Sequence, residues 1–598
     1  MCGIIGYASK SSDSCGIVIS CLKKLEYRGY DSSGIATNES GKIEIYKSQG
    51  KISNLEQKLA NHNILATTAI AHTRWATHGV PNETNAHPHR VGNVTLVHNG
   101  IIENYSELKD ELITKGLNFV SETDTEVACG YINYIYQTTK NKLECIKTAC
   151  ENFRGSYAFA IIFDDEPNTI YSVRKNSPLI IGTSGNGNFV SSDVSAILEY
   201  TNKYILIDND EYVKVTNDSI DIYDSNLNHI EKEIDTATWS AVEYQKNGFD
   251  HFMLKEIYEQ PKVVSNIVNK MYDDIDFAKY DNIHIVACGS AMHAGMVSKY
   301  LFENYAKIRV NVEIASEYRY KENLITPSTL VIIVSQSGET ADTLAALRLA
   351  KENGAYVLAI VNVVGSSIAR EADRTIYTYA GPEIAVATTK GYSSQVATLI
   401  NIVLTSMKQK GLLDSSILEQ FTNDAKNVEQ TITDIINNRE KYKEIANKLY
   451  KHENILYIGR GIDSASCMEG SLKLKEISYI HSEAYAAGEL KHGTISLVEN
   501  GTPVITLATV DSIFEKTISN LKETKARGAY TLLITTDNQN IQNLHDSLDD
   551  VIVLPRVSEF IQPILVIVVL QLIAYETAIL RSADIDKPKN LAKSVTVE

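Results

Sequence analysis

The chain begins MCGIIGY, with a cysteine directly behind the initiator methionine. If that methionine is removed, Cys2 carries a thiol and a free α-amine on one residue. An α-amine titrates near ~8 and a thiol near ~8.5, so a base sits beside a nucleophile at neutral pH. The competing reading is a small apolar residue at the head of a buried strand, where free cysteines are common. Far downstream, in EGSLKLKEISYIHSEAYAAGELKHG, Glu469, Lys473 and Glu476 are spaced four and three apart, hence on one face of a helix. Such a face is either a solvated ion-pair stripe or a device for moving protons. The stretch SQSGET, residues 335 to 340, follows the apolar run TLVIIV and precedes a helical pattern. Hydroxyls and helix N-terminal N–H groups there can hold a phosphate without a cation, or simply cap the helix through Ser335 or Ser337. Five of the fourteen histidines lie between His72 and His98. No carboxylate or thiolate nearby completes a metal-ligand set, which favours hydrogen-bonding roles for them and no metal.

The elements that must position these residues differ along the chain. Up to about Trp239, short apolar runs such as TLVHNG, YAFAIIFD and PLIIGT alternate with turn residues, which predicts packed sheets with a few helices, among them ILEY and ETDTEVACGYINYIYQ. The segment KNGFDHFMLKEIYEQP reads as a helix that ends at Pro261. Beyond it, apolar strands alternate with helices, and the pattern occurs twice. DNIHIVACGSAMHAGMVSKYLFE resembles ENILYIGRGIDSASCMEGSLKLKE, and two later segments share GAY at a helix-to-strand turn. Two doubly wound α/β units in tandem follow, with the break in the polar helical stretch between Lys408 and Lys451. The second repeat has ATVDSIF in place of SQSGET, which implies loss of its phosphate site. The apolar run from Pro563 to Tyr575, interrupted by Gln571, is shorter than the ~20 residues a bilayer needs and reads as a core helix. The polar ending DIDKPKNLAKSVTVE is disordered by default.

At 598 residues, 44% hydrophobic and 22% charged, the chain suits several globular domains. A formal charge of −17 argues against nucleic acid as a partner. Eight cysteines without a CxxC pair predict a reduced, intracellular protein, and no signal-peptide pattern opens the chain. These features place it in the cytoplasm, away from membranes.

In order, Cys2, LEYRGYDSSGIA, HTRWATHG, HNGIIEN and ETDTE resemble the glutaminase domain of the class II amidotransferases, which are N-terminal-nucleophile hydrolases of αββα fold. SQSGET and CGSAMHAGM resemble sugar isomerase (SIS) domains, and the whole order, ending in KNLAKSVTVE, is similar to the isomerising glutamine:fructose-6-phosphate amidotransferases. The resemblance implies domains at 2–240 (glutaminase), 276–420 and 450–583 (SIS), a linker at 241–275 and a catalytic tail at 584–598. It implies that L-glutamine and D-fructose 6-phosphate give L-glutamate and D-glucosamine 6-phosphate, with no cofactor, in a homodimer. Cys2 would attack glutamine, with Asn99 and Gly100 as oxyanion donors. Arg74, Trp75, Thr77, His78 and Asp124 would bind the amino acid, Trp75 also gating an ammonia channel. Ser335, Gln336, Ser337 and Thr340 would hold the phosphate, with Ser290, Val386 and Thr388 around the sugar. Lys593 would form an imine, Glu476 would move the proton between C1 and C2, His492 from the neighbouring subunit would open the ring, and Lys473 and Glu469 would support proton traffic. Singly, Arg74 with Asp124 could be a surface ion pair, Asn99–Gly100 a hairpin turn and His78 a core residue. The family has two hydroxyl residues after CG, whereas Ser290 is followed here by Ala291. A phosphoribosyl-directed amidotransferase would need a pyrophosphate loop, and no GxxxxGK[ST] occurs. A phosphosugar sensor should show a decayed catalytic set, and an uncoupled isomerase should lack the glutaminase residues.

Overall fold

The run Gly3–Ser9 is a fully buried strand, paired antiparallel with Thr68–Arg74 on one side and Gly187–Ser191 on the other. In the computed structural model, which describes every residue except 1, 40, 77, 238–244, 538–543, 545–547 and 597–598, it lies within an eight-stranded sheet. A seven-stranded sheet, with Val94–Ile102 beside Gly155–Phe163, stacks on the first. Ile4, Ala36, Ile70, Val97, Ala160 and Ile162 fill the space between them. Val18, Leu22 and Leu55 of the helices Ser14–Lys24 and Ile52–Leu59 pack in the core on the outer face of the first sheet. Leu112, Val127 and Ile146, from three further helices, do the same for the second. The result is the expected αββα sandwich. The helix Asp124–Thr139 forms as predicted, capped by the Thr123 hydroxyl, which accepts the Glu126 N–H. ILEY does not: Val194–Ala196 is one turn of 3-10 helix and residues 197–200 are a turn. Four residues cannot repay the cost of nucleating an α-helix.

By its internal contacts the chain divides into two units, Met1–Gln245 with Ala592–Glu598, and Lys246–Leu591. The second unit contains two five-stranded parallel sheets of identical topology. Their spatial orders are Arg309–Ile314, Asn282–Ala287, Thr329–Ser335, Tyr356–Val361, Arg374–Tyr377 and His481–Ala486, Asn454–Gly459, Pro503–Ala508, Tyr530–Thr536, Asp550–Leu554. The shared GAY marks the same turn in both: Gly354 and Gly528 have φ of +80° and +85°, and the following strands begin at Tyr356 and Tyr530. Both repeats contribute to one continuous core.

Pro261 does not end its helix, which runs from Phe252 to Ile267. Proline removes the N–H that would bond the carbonyl four residues earlier. Here the Gln260 side-chain amide donates to that carbonyl, on Ile257, at 3.4 Å. The stretch read as a linker thus carries a helix whose Met253, Leu254, Ile257 and Val264 lie in the second unit's core. The apolar run is part of a longer helix, Gln562–Leu580, buried from Gln562 to Ala578. It is long and apolar enough to cross a membrane, yet 89% of it lies inside the protein, as a core helix does. Its one interior amide is satisfied: Gln571 accepts from Gln260 at 2.8 Å and donates to the Thr389 carbonyl at 3.4 Å.

The start of the tail is ordered, against the default expectation. The Asp586 carboxylate accepts the N–H groups of Phe252 and Met253 at 2.9 and 3.0 Å, at a helix N-terminus where a negative charge is favoured. The Asp586 carbonyl accepts the Val386 N–H at 3.0 Å.

Candidate active sites

In the first unit, Gly3 pairs with Thr73, which brings Cys2 to the end of the strand Thr68–Arg74. The Trp75 N–H donates to the Cys2 sulfur at 3.3 Å, and the thiol faces the Trp75 carbonyl at 3.5 Å. Burial pushes the Cys2 thiol above its ordinary range, outweighing the opposing pull of the Trp75 N–H and Arg74. The thiol is therefore protonated at neutral pH, and a base must take its proton before it can attack. With Met1 in place the Cys2 nitrogen is an amide, so it can serve as a base only once Met1 is removed.

Asn99 and Gly100 lie inside the strand Val94–Ile102, not in a hairpin turn. The Asn99 amide donates to the Cys2 carbonyl at 3.1 Å, and its oxygen faces His72 Nε2 at 3.1 Å. Burial pushes the His72 pKa down to about 3, so the ring is neutral and acts as an N–H donor that orients Asn99. Gly100 has φ +129°, and a Cβ there would lie 2.0 Å from the Ser156 carbonyl oxygen, which excludes any side chain.

Arg74 is buried and donates to the carbonyls of His78 and Gly79. Asp124, also buried, accepts the Ile102 N–H at 2.9 Å and lies 3.7 Å from His98. They make no ion pair with each other among the described residues, so the surface-pair reading fails. His78 is half-buried, its ring edge-on to Tyr105. Thr77 lies outside the described residues. The remaining histidines have structural partners: His89 bonds Thr123 at 3.1 Å, His98 bonds Thr125 at 3.0 Å, and His87 stacks on His72.

In the second unit, the loop Ser335–Thr340 leaves the strand Thr329–Ser335 and feeds the helix Ala341–Glu352. The Ser335 hydroxyl accepts the Gly338 N–H at 3.1 Å and meets the Thr340 hydroxyl at 3.2 Å, while Ser337 accepts the Glu339 N–H. None of them caps the helix, whose N-terminus has no side-chain cap. Gly338 has φ +67°, and a Cβ there would sit 2.0 Å from Ser366 Oγ. The loop is thus a tight turn that presents hydroxyls and uncapped N–H groups together, the donor set a phosphate requires.

Beside it lies a buried charge array. Lys473, 1% exposed at its side chain, pairs with Glu469 at 3.4 Å and with Glu476 at 2.5 Å. Glu469 also accepts from Ser290 at 2.8 Å and meets His293 Nδ1 at 2.8 Å. Burial alone would raise the Glu469 carboxyl, but Lys473, His293 and Ser290 together hold it below its ordinary range. Burial likewise opposes charge on Lys473, and the two glutamates overcome it, raising its pKa. The solvated-stripe reading fails for Glu469 and Lys473. Ala291 packs against the core.

Glu383, missed in the sequence, organises the loop that carries Val386 and Thr388. Its carboxylate accepts the Thr388 hydroxyl at 2.7 Å and the N–H groups of Thr389 and Gly391, both at 2.9 Å, and it faces Lys473 electrostatically. A Cβ on Gly391 would touch Thr388, Glu383 and Gln336, so these three meet at one point. Glu256 holds the same loop through the N–H groups of Ile384 and Ala385. Val386 is buried. His492 is exposed at the end of the 3-10 segment Ala487–His492, with no bond to the Glu469–Lys473–Glu476 array among the described residues. Lys593 lies in the tail segment that groups with the first unit.

Fold and sites define a glutamine amidotransferase joined to a pair of phosphosugar-type α/β domains. The glutamine amidotransferase domain family matches residues 72–199, and the SIS domain family matches 276–404 and 448–581. The glutamine–fructose-6-phosphate aminotransferases (isomerizing) of Clostridium acetobutylicum and Thermococcus kodakarensis are 47% and 45% identical, each aligned over 100% of both chains. The solved C-terminal domain of glucosamine-fructose-6-phosphate aminotransferase from Francisella tularensis matches at 38% identity and TM-score 0.54, covering 57% of this chain and 100% of that one. The chain belongs to the isomerizing glutamine–fructose-6-phosphate aminotransferase family.

Proposed function

We propose that the candidate residues named above carry out the family's reaction, in which L-glutamine and D-fructose 6-phosphate become L-glutamate and D-glucosamine 6-phosphate. Once Met1 is removed, the Cys2 α-amine takes the thiol proton and the sulfur attacks the glutamine side-chain amide. Asn99 Nδ2 and the Gly100 N–H stabilise the oxyanion. Ammonia leaves, and water hydrolyses the thioester to release glutamate. Arg74 binds the glutamine carboxylate and Asp124 its ammonium, and Thr77 and His78 assist in binding the amino acid. Trp75, bonded to the nucleophile through its backbone, gates the route of ammonia to the sugar.

Ser335, Gln336, Ser337 and Thr340 hold the sugar phosphate, and Ser290, Val386 and Thr388 surround the sugar. His492 of a second copy of the chain opens the ring, which makes a homodimer the working form. Lys593 condenses with the ketone at C2, losing water, and ammonia then displaces the lysine from the imine. Glu476 removes a proton from C1 and delivers one to C2, while the C1 hydroxyl proton passes to the imine nitrogen, giving the aldose with an amine at C2. Lys473, held between Glu469 and Glu476, fixes the charge state of the array through this transfer. The acidic chain works in the cytoplasm without nucleic acid, membrane or cofactor.

The observation that carries the sugar chemistry is the buried lysine shared by two glutamates beside a hydroxyl-lined loop. The test is a pair of variants. Cys2→Ala should abolish glutamate release and retain sugar isomerisation, and Lys593→Ala should do the reverse. Loss of both activities in either variant would refute the two-site assignment.

A further inference from the structure

Three neighbouring parallel strands of the first repeat end level with one another. Ser335 pairs with Val361 and Val361 with Tyr377, so the loop Ser335–Thr340, the connection opened by Asn362 and the segment that starts at Thr378 leave the sheet side by side. The carboxyl ends of such strands are where ligands bind. The two outer connections carry residues assigned above to the phosphate and to the sugar. The middle one carries none of them.

Asn362, 3% exposed, joins the outer two. Its backbone N–H donates to the Gln336 carbonyl, inside the phosphate loop, at 3.1 Å. Its side-chain Nδ2 donates to the Gly381 carbonyl at 2.7 Å, while Oδ1 accepts the Ala380 N–H at 2.8 Å and the Thr378 hydroxyl at 3.1 Å. Only an amide in this orientation matches all three, since the reverse would set a donor against an N–H and an acceptor against a carbonyl. The same connection grips the phosphate loop twice more: the Ile368 N–H donates to the Gly338 carbonyl at 3.0 Å and the Ser367 N–H to the Glu339 carboxylate at 2.8 Å.

The turn that Asn362 clamps is strained. Tyr379 and Gly381 have φ of +48° and +73°. A left-handed backbone is costly for a tyrosine and persists only where its surroundings hold it. Just beyond the turn, Glu383 bonds Thr388, and Glu256 ties Ile384 and Ala385 to the helix Phe252–Ile267, not to the phosphate loop. Counted from the shared GAY, the matching position in the second repeat, which has no SQSGET, is Thr536. We infer that Asn362 is a positioning residue for the phosphosugar, setting the spacing between the groups that hold the phosphate and those around the sugar. This rests on the proposed assignment of Ser335, Gln336, Ser337 and Thr340 to the phosphate and of Val386 and Thr388 to the sugar.

The test follows amino-sugar formation by the full chain, with inorganic phosphate as a competing probe of the phosphate loop alone. Asn362→Asp keeps the shape and both acceptor contacts but sets a carboxylate oxygen against the Gly381 carbonyl. The segment then leaves its place in a larger share of molecules, and apparent affinity falls with the competent share. The KM for fructose 6-phosphate should rise about tenfold, the effect of one hydrogen bond. The kcat at saturating sugar and the inhibition constant of phosphate should stay within about twofold, because the backbone bonds to the phosphate loop remain. Thr378→Val, which removes only the hydroxyl, should raise KM about threefold. A purely structural role would lower the melting temperature and leave the ratio of KM to the phosphate constant unchanged. An unaltered KM in both variants, or a phosphate constant that rises in step with KM, would overturn the inference and leave the phosphate assignment standing. Failure of phosphate to compete with fructose 6-phosphate in the unaltered protein would refute that assignment, and the inference with it.

Discussion

Replacing Lys473 with methionine separates the proposed array from an ordinary core pairing. Methionine keeps the approximate volume and removes the charge together with its N–H donors. Glu469, 0% exposed, then retains Ser290 and His293 but loses its largest opposing charge. Breaking a buried pair by removing one partner costs roughly 3–5 kcal/mol. At ~2.1 cal/mol/K per residue, a unit the size of Lys246–Leu591 has an unfolding entropy near 0.7 kcal/mol/K, so the melting temperature should fall by about 4–7 °C. The pH dependence should also change sign. In the unaltered protein the Glu469 carboxyl is held below its ordinary range, so its contribution is present above the unfolded pKa and fades as pH falls through the folded one. Without Lys473, burial dominates and raises that carboxyl, so stability from this group fades as pH rises through the new, higher pKa. Thermal melting at pH 5.5 and pH 8 reads both effects. The variant should regain stability at pH 5.5, and adding Glu469→Gln should restore part of the loss at pH 8. A variant that melts within a degree of the parent at pH 8, or loses further stability at pH 5.5, would refute the charge-pairing argument.

Asn99→Ala should reduce the kcat of glutamate release by ~10²–10³, the effect of losing one oxyanion donor, while ammonia-supported amino-sugar formation persists; an unchanged kcat would remove Asn99 from the oxyanion site. The Asp463 pKa is pushed up to about 6 by burial, which exceeds the help from Thr509. The folded state therefore binds this proton more tightly, and the group's contribution to stability is lost as pH rises from the ordinary carboxylate range through 6. Asp463→Asn should flatten that part of the stability profile between pH 4 and pH 6.5, measured by denaturant unfolding; an unaltered slope would show that Asp463 does not titrate there.

The parts of the site built from contiguous motifs were legible in the sequence, because a turn and a helix phase fix their geometry locally. SQSGET is a hydroxyl-bearing turn, and the spacing of Glu469, Lys473 and Glu476 does put them on one helix face. What the letters could not show was burial, which converts that face from a solvated stripe into a charge array. His293 and His72 act on residues distant in the chain, so no local spacing marks their partners, and Glu383 ties together a nearby loop, Thr388 to Gly391, whose path the letters do not show. Pro261 misled because a local rule was overridden by a side-chain amide, from Gln260, that replaces the missing donor. ILEY misled because apolar residues in a short turn pack as well as those in a helix. The tail's default of disorder failed at Asp586, whose carboxylate finds a helix N-terminus more than three hundred residues earlier.

One chain is expected to couple glutamine hydrolysis to amination of fructose 6-phosphate. The direct measurement is glutamate release by the purified protein, with and without fructose 6-phosphate, alongside glucosamine 6-phosphate formed. The sugar should accelerate glutamate release, and amino sugar should appear in equal amount. Glutamate released at the same rate regardless of sugar, with no amino sugar formed, would contradict it.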